Sequence, residues 1–177
     1  CTLLGRALSG ASAGVHELFC RYALALVPLG AGMWTAHLVF HLAIYRARPD
    51  VGGVVHTHSP YATAWACLGR PIQPLILALG LMVGGQVDVA PFALPGTEAL
   101  GEAVVRGLGD RNAVLLEQHG VVAVGKDIDR ALACASTVEN VAQIQAVAAL
   151  LGPLRPLDAK TIETGLQLES GYGTPAR

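Results

Sequence analysis

The chain has 177 residues, 53% of them hydrophobic and 14% charged, with a formal net charge of −1. This length suits one domain, residues 1–177, with its own core, and so apolar a composition points to further burial in a homo-oligomer. The near-neutral charge excludes the basic field that nucleic acid needs, and Trp34, Trp65 and Phe92 are too scattered to stack bases.

The N-terminus does not read as a signal peptide, and Cys1 in place of Met suggests that the natural start lies upstream. Ser9-Gly10-Ala11-Ser12-Ala13-Gly14 is a small-residue loop able to bring backbone amides close to a ligand. The mixed apolar stretch from Leu18 to Leu29 reads as a strand, broken at Pro28 and Gly30. A helix is expected from Thr35 to Arg48, where Ala36, Val39, Phe40, Ala43 and Ile44 form an apolar stripe, and Pro49 closes it. Val51 to His58 reads as a strand. Pro60 suits the first position of a helix that runs to about Leu68 and stops at Gly69.

Residues Ile72 to Pro95, punctuated by Gly80, Gly84, Gly85, Pro91 and Pro95, read as short strands and loops. Within them Leu75 to Val83 is apolar but too short to span a membrane, so no membrane partner is expected. Thr97 caps a helix to about Leu108, with Glu98 well placed for the helix dipole. Ala113–Leu116 and Val121–Val124 read as two strands around a His119-Gly120 corner. Asp127 opens a long helix that reaches about Leu151, before Gly152. One short helix is expected after Pro156, with a loose end from Gly171 to Arg177. Cys1, Cys20, Cys67 and Cys134 form no CxxC pair and read as buried small hydrophobes of a reducing, cytoplasmic protein. Strands and helices alternate without internal repeats, so the fold class is α/β, or α+β with a largely antiparallel sheet.

The most informative stretch is His56-Thr57-His58-Ser59-Pro60-Tyr61-Ala62-Thr63-Ala64. Residues two apart on a strand share a face, so His56 and His58 present two imidazoles side by side at a strand end. His119, where another apolar run meets a glycine, supplies a third. Three such histidines suit a divalent transition metal with an open coordination position. Glu117 is either a partner of His119 or an exposed residue before a turn, and the second is expected. Thr97 is expected to act as a helix cap and no more.

From about His41 to Ile144 the sequence resembles the class II aldolase/adducin family, which includes fuculose-phosphate and rhamnulose-phosphate aldolases and ribulose-phosphate 4-epimerase. The matching text is His41-Leu-Ala-Ile-Tyr-Arg-Ala-Arg-Pro-Asp50, His56 to Ala64, Pro95-Gly-Thr-Glu98, and Gln118-His-Gly120 with Gly125 and the helix after it. The resemblance implies a three-layer αβα sandwich around a central, largely antiparallel sheet, usually assembled as a fourfold-symmetric tetramer. It also implies Zn2+ held by His56, His58 and His119.

The N-terminal region is shortened and divergent. The family's phosphate-binding Ser/Thr-x-Gly-Asn loop corresponds to Ser12-Ala13-Gly14, followed here by Val15. Its second loop, Thr-Pro-Ser-Gly, corresponds to Val27-Pro28-Leu29-Gly30, without either hydroxyl. The resemblance thus points to Ser12, Gly14 and Gly30 as substrate-binding positions, with the asparagine and the hydroxyls gone. A further strand and loop are missing, and the family's Ser-Ser-Glu reads Thr35-Ala36-His37. The general acid/base glutamate therefore falls at His37. That imidazole has three readings: a catalytic residue that takes over proton transfer, a fourth nitrogen ligand that closes the metal site, or a helix-surface histidine sharing a face with His41.

Two functions follow. The first is a zinc-dependent aldolase-type lyase that cleaves a carbon–carbon bond in a small, sugar phosphate-like hydroxy-carbonyl substrate through a metal-stabilised enediolate. The alternative is a catalytically inactive relative kept as a structural or interaction subunit.

Overall fold

The structure, a computed structural model, describes residues 38–171. The stretch read as a strand from Leu18 to Leu29, the positions Ser12, Gly14, Gly30 and His37, and the last six residues lie outside them. The described chain opens with helix α1 (38–47), followed by β1 (Gly53–Thr57) and α2 (Pro60–Cys67). Then come α3 (Leu77–Val83), β2 (Val89–Ala90), α4 (Glu98–Leu108), β3 (Ala113–Leu116), β4 (Gly120–Gly125), α5 (Ile128–Leu151) and α6 (Ala159–Gly171).

The four strands form one sheet in the order β1-β4-β3-β2. β4 pairs antiparallel with β1 and with β3, and only the short β2 runs parallel to its neighbour. The sheet is therefore largely antiparallel, as expected. Every residue of β3 and β4 is buried, because both faces of the sheet are covered by helices. The side-chain alternation of β4 shows this directly. Val121 and Ala123 join Ala113 and Leu115 in a core with Trp65 of α2, Leu79 and Val83 of α3, and Val138 and Val141 of α5. Val122 and Val124 point the other way, into a core with Val114, Leu116, Phe40 and Ile44 of α1, and Leu100 and Val104 of α4. The result is a three-layer αβα sandwich. Each fully buried valine or leucine contributes about 1.5–3 kcal/mol, so the double-sided burial of β3 and β4 makes them the axis of the domain.

Helix boundaries follow local chemistry. The Thr97 hydroxyl accepts from the Leu100 N–H at 3.3 Å, and Asp127 Oδ1 accepts from the Arg130 N–H at 2.7 Å, so both expected caps are in place. The chain leaves α2 through Gly69, whose φ of +61° suits glycine. Arg48, just past α1, donates to both Asp50 oxygens and to the carbonyls of Gly109 and Arg111. It thereby ties the exit of α1 to the exit of α4 and holds the Asp50 carboxyl below its usual range.

Two expectations need correction. Residues Ile72 to Pro95 are not all strand and loop, since Leu77–Val83 forms α3, capped by Gly84 in the left-handed conformation. The segment lacks a polar face because α3 is packed on two sides: Leu79 and Val83 face the sheet-side core, and Ile162 of α6 lies against Gly80, while Leu77 stays exposed. Nor are the cysteines uniformly buried: Cys67 at the end of α2 is exposed, whereas Cys134 is buried. Among the described residues no helix is long and apolar enough to cross a membrane.

Burial pushes the Cys134 thiol up to about 12, with Arg130 opposing the shift only weakly. Between the unfolded value and this raised one, the unfolded chain binds fewer protons than the folded one, so stability falls as pH rises. The slope assigned to this group is about 1.4 kcal/mol per pH unit. Denaturant titrations at pH 8 and pH 10.5 should show a larger alkaline loss for the wild type than for Cys134→Ser, which has no thiol to titrate. Equal losses would show that Cys134 is not shielded in the native state.

Candidate metal centre

The three predicted ligands meet at one end of the sheet. His56 sits within β1, opposite Val122 of β4, and the last rung of that ladder is Thr57–Val121. His58 lies one residue past the strand, on the way into α2. His119 is the last residue of the three-residue connection between β3 and β4. Because β1 and β4 run antiparallel, the end of β1 and the beginning of β4 fall on the same edge, which brings His119 beside a pair some sixty residues away in sequence.

The imidazoles form a tight cluster. Ring centroids lie 4.8 Å apart for His56–His58 and His56–His119, and 5.1 Å apart for His58–His119. One ring nitrogen from each falls within 4.8 Å of the others. His56 Nδ1 is 2.9 Å from the Val121 carbonyl, which can only accept, so Nδ1 carries the proton and Nε2 keeps its lone pair. That lone pair faces His58 Nε2 at 3.1 Å. Two nitrogens on a tetrahedral zinc, each ~2.0–2.1 Å from the ion, lie roughly 3.3 Å apart, so the His56–His58 spacing fits a shared metal. The donor set among the described residues fits too: three nitrogen donors with a side left open match the pattern of catalytic rather than structural zinc. His58 is exposed and the other two half-buried, so the cluster opens to solvent.

The surroundings explain the neighbouring sequence. A Cβ at Gly120 would stand 2.5 Å from the Thr57 carbonyl oxygen, 2.7 Å from His58 Cδ2 and 3.3 Å from His56 Cε1. Only a residue without a side chain lets the two rings lie over the start of β4. The preceding turn closes with the His119 N–H donating to the Leu116 carbonyl at 3.0 Å, and Gln118 adopts φ +55° within it. This is a non-glycine residue in the left-handed region, of the kind that clusters at functional sites. On the other side Phe40 of α1 and His56 form a T-shaped ring pair, with centroids 5.3 Å apart.

Glu117 departs from expectation. It is half-buried rather than exposed, and its Oε2 accepts the Phe92 N–H at 2.9 Å, which anchors the loop before α4. Thr97 is the helix cap expected of it. The positions Ser12, Gly14, Gly30 and His37 lie outside the described residues, so the structure places only the histidine part of the expected site. Sequence reasoning missed the steric role of Gly120, although the His119-Gly120 pair was its visible sign.

The chain is thus an αβα sandwich with three histidines on one rim that could hold a metal ion. Residues 22–146 match the family model described as the class II aldolase and adducin N-terminal domain. The chain is 36% identical over 135 residues to the L-fuculose phosphate aldolase of Escherichia coli O6:H1, covering 76% of this chain and 63% of that protein. It is 37% identical over 139 residues to the 5-deoxy-D-ribulose 1-phosphate aldolase of Bacillus thuringiensis serovar kurstaki, covering 78% and 65%. A solved L-fuculose 1-phosphate aldolase superposes with a TM-score of 0.74 at 29% identity, covering 76% of this chain and 63% of that one. The chain belongs to the class II aldolase/adducin family. It spans just under two thirds of the length of these relatives.

The close approach at Gly120 generates a prediction. Gly120→Ala should push the His56 and His58 rings apart and weaken Co2+ binding about 10–100-fold, the range typical of groups that orient metal ligands. Titration followed by the cobalt visible spectrum measures this, with circular dichroism as the check on folding. Wild-type affinity in the folded variant would mean that the rings have room the structure does not show.

Proposed function

We propose that this protein is a zinc-dependent aldolase-type lyase acting on a small, phosphorylated hydroxy-carbonyl compound. The observation that supports it most is the cluster of His56, His58 and His119, with two Nε2 atoms 3.1 Å apart on a solvent-open rim. When bound there, a divalent metal supplies the positive charge that draws electron density from a carbonyl and its neighbouring hydroxyl, and so eases cleavage of the adjacent carbon–carbon bond.

The chain's own residues would divide the remaining work. Three neutral imidazoles hold the ion without cancelling its charge. The Val121 carbonyl keeps His56 in the tautomer whose Nε2 can ligate. His37 would take the proton from the hydroxyl at the breaking bond. Ser12, Gly14 and Gly30 would hold the phosphate through backbone amides and one hydroxyl. Such remote binding helps to orient the reacting centre.

One observation favours a second reading. Histidine stands where the resemblance puts a carboxylate, and both phosphate loops lack side chains the family uses, which suits an inactive relative that retains its metal.

Metal analysis and turnover separate the two. Zinc at about one per chain, with carbon–carbon cleavage of a sugar-phosphate panel lost on chelation and restored by zinc, is the expected result. Stoichiometric zinc without any cleavage would select the inactive reading. Absence of metal under zinc-replete conditions would refute the triad as a ligand set, and His56→Ala should reproduce that state.

We further propose a homotetramer. Leu150 and Leu151, at the end of α5, are 88% and 84% exposed, an apolar end that assembly would cover. Light scattering should give a mass of four chains, and a monomer at micromolar concentration would exclude it.

A further inference from the structure

The three imidazoles are tethered unequally. His56 is inside the β1–β4 ladder, and its Nδ1 is held by Val121. His119 is held by the turn that its own N–H closes. His58 has passed the last rung, so on its C-terminal side its direction depends on how α2 begins.

The start of α2 is unusual. Ser59 occupies the cap position, but its side chain makes no capping bond; its hydroxyl instead accepts from Thr57 Oγ1 at 3.4 Å. Pro60, the first helical residue, has no N–H to satisfy. The next two N–H groups, of Tyr61 and Ala62, both donate to Glu139 of α5, to Oε1 at 3.0 Å and Oε2 at 2.8 Å. A carboxylate from 77–78 residues away thus does what a local cap normally does. Its negative charge also sits where the helix dipole favours it.

We propose that Glu139 is the positioning residue of His58: it clamps the first turn of α2 and so sets the path His58-Ser59-Pro60, which carries the imidazole to His56. The proposal rests on the metal reading of the triad. A second bond, from Trp65 Nε1 to the Ala142 carbonyl at 3.0 Å, also ties α2 to α5, but a turn further from His58. It provides a control that loosens the same helix pair away from the cluster.

The test uses the full-length, metal-free protein and Co2+ as probe. Glu139→Gln keeps the size of the side chain but turns an N–H donor toward one of the two backbone N–H groups. It should weaken Co2+ binding about 10–100-fold and change the cobalt visible spectrum, with far-ultraviolet circular dichroism unchanged. Without metal, the Tyr61 and Ala62 amides should exchange faster in this variant. Trp65→Phe should leave Co2+ affinity within about threefold, even though it loosens the helix pair. In a His58→Ala background, adding Glu139→Gln should have a much smaller effect on Co2+ affinity, since its main route to the metal is gone.

Wild-type Co2+ affinity in Glu139→Gln would overturn the proposal, as would an equal loss in Trp65→Phe or an undiminished loss in the His58→Ala background. Unchanged amide exchange would remove the clamp itself, whatever the metal does. A wild-type protein that binds no Co2+, but whose Tyr61 and Ala62 exchange still responds to Glu139→Gln, would instead refute the metal reading and this inference with it, while leaving the clamp as a structural fact.

Discussion

The site depends on one strand register. β1 and β4 pair antiparallel with His56 opposite Val122 and Thr57 opposite Val121, and every other feature of the rim follows from that alignment. It puts the Val121 carbonyl within reach of His56 Nδ1 and the His119 turn next to the end of β1. It also places Gly120 beneath two rings. A slip of one residue would turn His56 toward the opposite layer, because side-chain direction alternates along a strand. β4 resists such a slip because both of its faces are committed: Val121 and Ala123 belong to one core, Val122 and Val124 to the other. The hydrophobic packing of the domain and the geometry of the cluster are therefore set together.

That coupling explains why much of the rim is legible in the amino-acid order alone. His56 and His58 at i,i+2 in a valine-rich run declare a shared face, and the long-range partner His119 stands beside a glycine. Caps at Thr97 and Asp127, and glycine after α2, are local chemistry that survives folding unchanged. What escapes a reading of the sequence is of two kinds. α3 has an all-apolar sequence, Leu-Ala-Leu-Gly-Leu-Met-Val, because neighbours enclose it on more than one side, and a helix without a polar face offers no periodicity to detect. Contacts between distant residues are equally silent. Glu117 before a turn looks like a solvent-facing carboxylate, and nothing local shows that it takes the Phe92 N–H. Glu139 on a long helix is just as anonymous, although it receives two N–H groups of another helix.

The tethers of the three histidines also show how one rim can combine rigidity with access. His56 is backed by the ladder and flanked by Phe40, so it supplies the rigid part. His58 is the most exposed of the three and the least supported by the sheet. The turn that carries His119 includes Gln118 in a left-handed conformation, a local cost of order 1 kcal/mol that the surrounding ladder sustains. Its backbone N–H lies 3.4 Å from the Ala66 carbonyl, so the turn leans on the same helix that His58 leads into. Two of the three histidines are thereby referenced to α2, and the third to the sheet.

α2 is consequently more than a connector. It touches the His119 turn at Ala66, α5 at Trp65 through Ala142, and Glu139 at its first turn. A helix of eight residues has little stability of its own, and β-branched Thr63 and bulky Trp65 add none. Its position is therefore dictated from outside, chiefly by α5. Because α5 is also the helix that covers β1 and β4 on one face, the same 24-residue element holds the strand register and aims the helix that follows His58. The three histidines are short-range features of the rim. The element that aligns them spans the domain, which is why the motif is legible in a few residues while its support is spread over the fold.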